Sequence, residues 1–432
     1  MRLVLDKSLL HDHLERVTNE KEVLLLAAGF KDRKTLMSNP QFADALRAEG
    51  VQPPMKESPT TGKQTYAFAK TDKDFIALQD HPKIAVQVLV GARLGVKGTL
   101  EQTRTQRFID IEGRGPMPVP IRYYAAHTGR WGGDDKINLQ NLPSRGPNAK
   151  ALKRSIMAPP GYIIYDCDSA QIEARVLAWL AGQDDLVKAF ANGEDVYVAM
   201  AASIYGVAPE DITKEQRFVG KTTILGCGYG MGAVRFKDQL HSFGVDIELD
   251  EAKRIVMIYR RKNDRIVALW DQANIVLQAL YQGKTTAIGR DDGVLLVVPE
   301  EQGVRLPSGL ILRYEDLQVE QGGRGPQYTY KTRMGRTKIY GGKCVENWTQ
   351  AIARCIIGEQ LLLVSQRFKP VLTVHDSIGS LVPFDQAHEG KIFIDQCMRY
   401  VPEWAEGLPV DCEGFGAVRY GDCYEGSPAL VA

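Results

Sequence analysis

The chain has 432 residues, 44% of them hydrophobic, which is enough apolar material for a large core spread over two or three subdomains. A formal net charge of +1 excludes a protein drawn to polyanions by bulk charge alone, and seven cysteines with no CxxC pair argue against a disulfide framework. No apolar stretch is long enough to span a bilayer, and Met1-Arg2-Leu3-Val4-Leu5-Asp6 meets charge too early for a signal peptide, so the expectation is a reducing cytoplasm and no membrane partner.

From the start to about residue 122 the pattern is helical and mixed in charge, most clearly over 9–28 and 75–94. Residues 51–64, rich in Pro, Thr and Gly, read as a loop. A Gly-rich polar stretch covers 128–147. Residues 142–160 hold four cations (Arg145, Lys150, Lys153, Arg154) and no acid, a local basic surface able to hold a phosphate backbone or simply a solvated loop. An apolar strand over 162–168 runs into a helix over 171–180, and helical segments continue to about 283. Residues 285–341 carry most of the remaining Gly and β-branched residues and read as strands and loops. A long helix, about 344–368, precedes a second apolar strand, 371–374. From 385 to the end there are nine acids against three cations.

Both apolar strands end in a carboxylate, Asp168 on the first and His375-Asp376 on the second. Carboxylates at the rim of a sheet are rigidly placed oxygen ligands, which suit Mg²⁺, and two such ions are what phosphoryl transfer on a triphosphate requires of a protein. Asp168 taken alone reads equally well as a turn or helix-cap aspartate. Asp166, two residues earlier and on the same strand face, is either a supporting carboxylate or an alternative ligand. Arg217, Lys221, Leu225 and Tyr229 recur every four residues and so form one drifting stripe of a helix. Its two cations suit a triphosphate and its second half a base and sugar, and Lys221 is a candidate general acid for the pyrophosphate leaving group. Gly226, Gly228, Gly230 and Gly232 weaken the end of this helix.

Together, Asp168-Ser169-Ala170-Gln171-Ile172-Glu173, the Arg217–Tyr229-Gly230 stripe and His375-Asp376 resemble the polymerase domain of family A DNA polymerases, closest to phage-type members. The resemblance implies an α+β right hand, with an antiparallel palm sheet and helical fingers and thumb. Its parts would be an N-terminal segment at 1–29, a thumb at 30–120, palm at 121–195 and 340–432, and fingers at 196–339. It implies template-directed addition of deoxynucleoside triphosphates to a primer 3′ end, with two Mg²⁺ ions, or Mn²⁺ as substitute. Asp168, Asp376 and the carbonyl of Ser169 would be the ligands. Gln171 and Glu173 fall at nucleotide-contacting positions, and the bulk of Glu173 would exclude a 2′-hydroxyl. Leu225 stands where the family has Phe or Tyr against the sugar. Arg130, in Thr128-Gly129-Arg130, would reach the minor groove near the primer end, with Arg145, Gln350 and His375 as further primer-template contacts. Ser377, Glu346, Gly342 and Tyr197 depart from the family's Glu, Asn, Arg and His. The family's exonuclease domain, which precedes the polymerase domain, is expected to be absent from this chain, as in a naturally short, processed or truncated polymerase. The expected setting is a monomer on DNA in a bacterial or phage-infected cell, associated with the nucleoid. A single-subunit RNA polymerase and an inactive DNA-binding module are the competing readings. Glu173 weighs against the first, and the joint presence of Asp168, Asp376, Arg217 and Lys221 against the second.

Overall fold

The computed structural model describes residues 2–58, 61–142, 149–290, 293–322 and 325–424. The chain divides into two compact units, Met1–Pro118 with Leu142–Pro160 and Arg419–Asp422, and Val119–Asn141 with Gly161–Val418 and Cys423–Ala432.

The first unit is mainly helical. Asp6 caps the helix Lys7–Ala27 by accepting from the Leu9 N–H at 3.0 Å. That helix is tied to Leu100–Glu112 through Lys21 and Gln102, 2.7 Å apart. The core gathers Leu36, Phe42, Phe68, Phe75 and Val90. Buried Arg93 lies over the rings of Phe42 and Phe68 and donates to the Leu36 carbonyl, and burial pushes its pKa down to about 10. The helix expected over 75–94 is two pieces, Lys73–Ala77 and Ile84–Lys97. Pro82 separates them: it lacks an N–H and holds His81 at φ −63°, ψ 140°. The loop expected over 51–64 contains a short hairpin, Met55–Glu57 against Gln64–Tyr66. Its strands are three residues each and largely exposed, too short for any alternation to declare them.

The second unit is built on a four-stranded antiparallel sheet in the order Lys369–Val374, Ser377–Pro383, Tyr162–Ser169, Cys412–Ala417. Alternation divides the faces of Tyr162–Ser169. Ile163, Tyr165 and Cys167 point into a core shared with Ile357 and Val364 of the helix Gly341–Ser365 and with Ile394 and Met398 of the helix Ala387–Met398. Asp166 and Asp168 therefore share the opposite face. Gly341–Ser365 buries Cys344, Val345, Trp348, Ile352 and Ile356 at steps of one, three and four residues, against the helices Asp264–Tyr281 and Ile172–Ala181. Trp348 is fully buried, and truncating such a side chain costs about 3–5 kcal/mol.

A second helical group, Val196–Tyr205, Lys214–Cys227, Ala233–Ser242 and Leu249–Lys262, shares a core of Val219, Phe236, Leu240 and Tyr259. Gly220 lets the first two helices touch, because a Cβ there would lie 2.2 Å from the Tyr197 carbonyl oxygen. Residues 285–341 form the expected strands, as a four-stranded and a three-stranded antiparallel sheet.

Candidate active site

The sheet register brings the two carboxylate motifs together. Val374 pairs with Ser377, which leaves His375 and Asp376 as a two-residue hairpin turn. His375 takes φ 54°, the left-handed value that such turns demand, at a strain of about 1–3 kcal/mol. Ser377 pairs in turn with Asp168, and the Ser169 N–H donates to the Asp376 carbonyl at 3.0 Å. On the other flank Glu413 is the direct cross-strand partner of Asp168. Asp168 thus stands between Asp376 and a glutamate that the motifs do not include.

This crowding has an electrostatic signature. Asp168 reaches solvent, yet the protein packed around it hydrates it poorly. Burial first, then the charges of Asp376, Asp166 and Glu413, push its pKa up to about 7. The Asp376 carboxyl is raised as well, by burial chiefly, with Glu173 adding to the effect and Arg130 and His375 opposing it. A group of hard oxygen donors that disfavour one another's charge fits a divalent cation of the Mg²⁺ type.

Arg130 stands among these carboxylates. Its guanidinium bonds Glu173 and also Asp376 Oδ1, the latter at 3.3 Å. The Tyr229 hydroxyl donates to the other Glu173 oxygen at 3.3 Å. Gln171 adopts φ 52° at the start of Ile172–Ala181, the backbone step that swings the chain from strand into helix with Glu173 in its first turn.

The helix Lys214–Cys227 opens with a capping box between Thr213 and Gln216. Arg217 and Lys221 both lie over the Tyr197 ring, at 5.4 and 5.7 Å. Arg217 Nε donates to Asp195 Oδ2 at 2.7 Å. Asp195 simultaneously caps Val196–Tyr205, and although burial acts to raise its pKa, Arg217 and the cap N–H groups hold it below the usual range. Leu225 is 42% exposed, an apolar side chain left open on the same helix. The stripe expected to run through Tyr229 as helix breaks before it. The helix ends at Cys227, Gly230 takes φ 80°, and the Gly228 carbonyl is held by the Trp270 indole N–H at 2.9 Å. Tyr229 nevertheless stays with the site through Glu173.

A small pocket is lined by Arg130, Trp131, Gln140, Arg354, His375 and Asp376, which joins two of the expected primer-template residues to one of the carboxylates. Gln350 lies further along the helix, 3.5 Å from Glu346 Oε1, with Glu346 in turn bonded to Lys343 at 2.8 Å. Arg145 lies outside the described residues. Gly342, where the resemblance has Arg, abuts Tyr229: a Cβ would meet its carbonyl oxygen at 2.4 Å. Two residues were missed in the sequence, Glu413 and Arg354. Arg354 follows Gln350 by one helical turn and stacks over Trp131 at 4.8 Å, and that i, i+4 spacing was its available signal. On the opposite face of the sheet, Cys167, Cys412 and Asp395 bring their ligand-type atoms within 4.8 Å of one another. Asp395 there accepts from the Tyr165 hydroxyl and from Lys391, each at 2.8 Å, so this is a bonded network that holds the helix to the sheet.

A family model described as DNA polymerase family A matches residues 11–293. The chain belongs to this family. It is 31% identical over 343 residues to the DNA polymerase of Bacillus phage SP02, covering 68% of this chain and 50% of the phage protein. It is 38% identical over 222 residues to a thermostable DNA polymerase I of Thermus thermophilus, covering 51% of this chain and 25% of that enzyme. The chain thus spans half or less of the length of these curated relatives. Among solved structures, the polymerase domain of Pol1 from M. smegmatis, in complex with DNA primer-template and dNTP, matches with a TM-score of 0.69 at 20% identity. That match covers 98% of this chain and 68% of the other, and bears out the mixed, antiparallel polymerase fold expected from the motifs. No helix among the described residues is long and apolar enough to cross a membrane.

Proposed function

We infer that this chain is a template-directed DNA polymerase that adds deoxynucleoside triphosphates to a primer 3′ end. The observation that carries this is the joining of Asp168, at the end of its strand, to Asp376, in the adjoining hairpin turn, with Arg130 and Glu173 beside them and Glu173 bonded to Tyr229 just past the end of the Arg217–Lys221 helix. In the hand, residues 30–120 are the thumb behind an N-terminal segment at 1–29, residues 121–195 and 340–432 the palm, and 196–339 the fingers. The SP02, Thermus and mycobacterial relatives, all named polymerases, support the same assignment.

Asp168, Asp376 and the Ser169 carbonyl would hold two Mg²⁺ ions, which supply charge neutralisation and activation of the 3′ oxygen, with Mn²⁺ able to replace them. The protein's own part is to position and to move a proton. Arg217 binds the triphosphate oxygens with a planar fork and Lys221 with a point charge from which a proton can pass to pyrophosphate. Tyr229 and Leu225 face the base and sugar, and Gln171 fixes the nucleotide from the strand side. Glu173 fills the space a 2′-hydroxyl needs. Arg130, His375, Gln350 and Arg145 hold the primer end and duplex. The protein acts as a monomer on DNA in the cytoplasm of a bacterial or phage-infected cell.

The test is extension of a labelled primer on a DNA template with Mg²⁺, offering deoxy- or ribonucleotides, with the Asp168→Asn protein alongside. Templated addition of deoxynucleotides alone, abolished in the variant with duplex binding kept, is the expected result. Residual extension by the purified variant overturns the site assignment, and addition of ribonucleotides moves the chain to RNA synthesis.

A further inference from the structure

The three-stranded sheet Gln318–Gly322, Gly325–Thr332, Gly335–Ile339 has two unlike faces. On one, Tyr328 faces Ile339 and Tyr330 faces Thr337. Tyr330 and Ile339 are buried in the main core, and the Tyr330 ring lies 5.2 Å from His127, three residues before Arg130. On the other face Lys331 stands directly across from Arg336, and Lys338 across from Thr329, all three cations exposed. Arg333 and Met334 form the turn, with Met334 97% exposed. Between Glu320 and Glu346 the sequence has six cations (Arg324, Lys331, Arg333, Arg336, Lys338, Lys343) and no acid. Arg324 lies outside the described residues.

Some of this charge is used locally. Arg336 bonds Asp316 Oδ2 at 2.6 Å and the Thr329 carbonyl at 2.9 Å, Lys343 bonds Glu346, and Glu320, facing Gln327, shares the outer face. Lys331, Arg333 and Lys338 make no salt bridge among the described residues. Like charges directly across a strand pair destabilise a sheet, by up to about 1 kcal/mol, and Lys331 opposite Arg336 is relieved only by Asp316, which bonds Arg336 and feels the charge of Lys331. The hairpin is nonetheless anchored close to the catalytic machinery. The residues after it enter the helix Gly341–Ser365, where the Gly341 N–H donates to Asn274 Oδ1 at 2.8 Å and Gly342 abuts the Tyr229 carbonyl.

We propose that the outer face and tip of this hairpin form a second contact for nucleic-acid backbone, in which Lys331, Arg333 and Lys338 hold phosphates of the DNA on which the catalytic site acts. This rests on the polymerase reading above. Cations that form no ion pair among the described residues, on a projecting hairpin where Asp316 faces only Arg336 and Lys331, are complementary to a polyanion, and the anchored inner face provides a rigid platform for them. None of the family's motifs extends into this element.

The experiment is equilibrium binding of labelled primer-template across a salt series, in EDTA and without nucleotide, to the full chain and to Lys331→Gln/Arg333→Gln/Lys338→Gln. Each lost phosphate contact lowers the slope of log K against log salt by about 0.9, so the triple variant should lose roughly 2–3 from the slope and bind at least about tenfold more weakly at moderate salt. A matched thermal melt checks folding, and if the triple variant melts early, Arg333→Gln at the turn alone should lose about 1 from the slope. Two DNAs are used, one with a long template overhang and one with a flush end. A loss confined to the first assigns the contact to single-stranded template, and an equal loss on both assigns it to the duplex. Unchanged slope and affinity on both overturn the proposal. Because binding is read without metal or nucleotide, failure of the wild-type chain to extend primers would count against the polymerase reading and leave this result standing.

Discussion

Replacing Asp168 by Asn should stabilise the folded protein at alkaline pH while destroying its use of metal. The Asp168 carboxyl ionises near pH 7 instead of near its usual 3.8. Between those values the folded state keeps a proton that the unfolded chain has released, so stability falls as pH rises through this window and the deficit is complete above it. At about 1.4 kcal/mol per pH unit, a difference of 7 minus 3.8 corresponds to about 4 kcal/mol for a fully enclosed group. Asp168 is open to water on one side, and solvent screening reduces this to about 1–2 kcal/mol. Urea denaturation in EDTA should therefore give Asp168→Asn a midpoint higher than wild type at pH 8 by a few tenths molar, on the order of the free-energy gain divided by the slope. The difference should narrow towards pH 5. Mg²⁺ added at pH 8 should raise the wild-type midpoint and move the variant's much less, since a ligand that binds only the folded state stabilises it in proportion to its occupancy. Equal midpoints at pH 8, or a difference that does not narrow on acidification, would refute the idea that Asp376, Asp166 and Glu413 press on Asp168.

Glu173→Ala should admit ribonucleotides, with discrimination against them, read as the ratio of kcat/KM values, falling at least about tenfold; an unchanged ratio would mean that the sugar sits elsewhere. Gly342→Ala should cost about 1–3 kcal/mol, because its Cβ would press on the Tyr229 carbonyl at 2.4 Å and backbone must move to relieve it. The same variant should raise KM for the incoming nucleotide through the displaced Tyr229, and wild-type stability in the melt would show that the two segments do not meet this closely.

Asp168 and Asp376, the proposed metal ligands, were readable because each follows an apolar run, and such runs are strands whose ends are rims. Glu413 was not, since its strand, Cys412–Ala417, alternates glycine with single side chains and carries no apolar pattern of its own. Its place is decided by pairing with Tyr162–Ser169, some 250 residues away in sequence, and register is a property of the sheet and not of the strand alone. The Arg217–Lys221 stripe was readable from periodicity, yet periodicity ran past the point where four glycines at alternate positions let the helix stop. Pro82 was a visible breaker within the helix expected over 75–94, and there a local rule outweighed a longer pattern. The hairpin at Gly325–Ile339 lay in a region whose β-branched residues announced strands, but only the register separates its tyrosine face from its cationic face.

Two of the site's cations are paired with carboxylates, Arg130 with Asp376 and Glu173 and Arg217 with Asp195, while Lys221 lies over the Tyr197 ring. These pairs are partly exposed, and exposed ion pairs are worth only about 0–1 kcal/mol. A triphosphate brings several ionised oxygens at once and bonds to guanidinium with charge-assisted geometry, so at the proposed nucleotide site it would displace Asp195 from Arg217 at small cost. Asp195 then remains bonded to the N–H groups of Tyr197 and Val198, which keep the helix capped while Arg217 is released. In the same way, a divalent cation held at Asp376 as proposed would compete with Arg130, which would keep Glu173 as a partner. On the proposed reading, the internal pairs would hold these charged side chains in place and be weak enough to give way to a substrate that carries the greater charge.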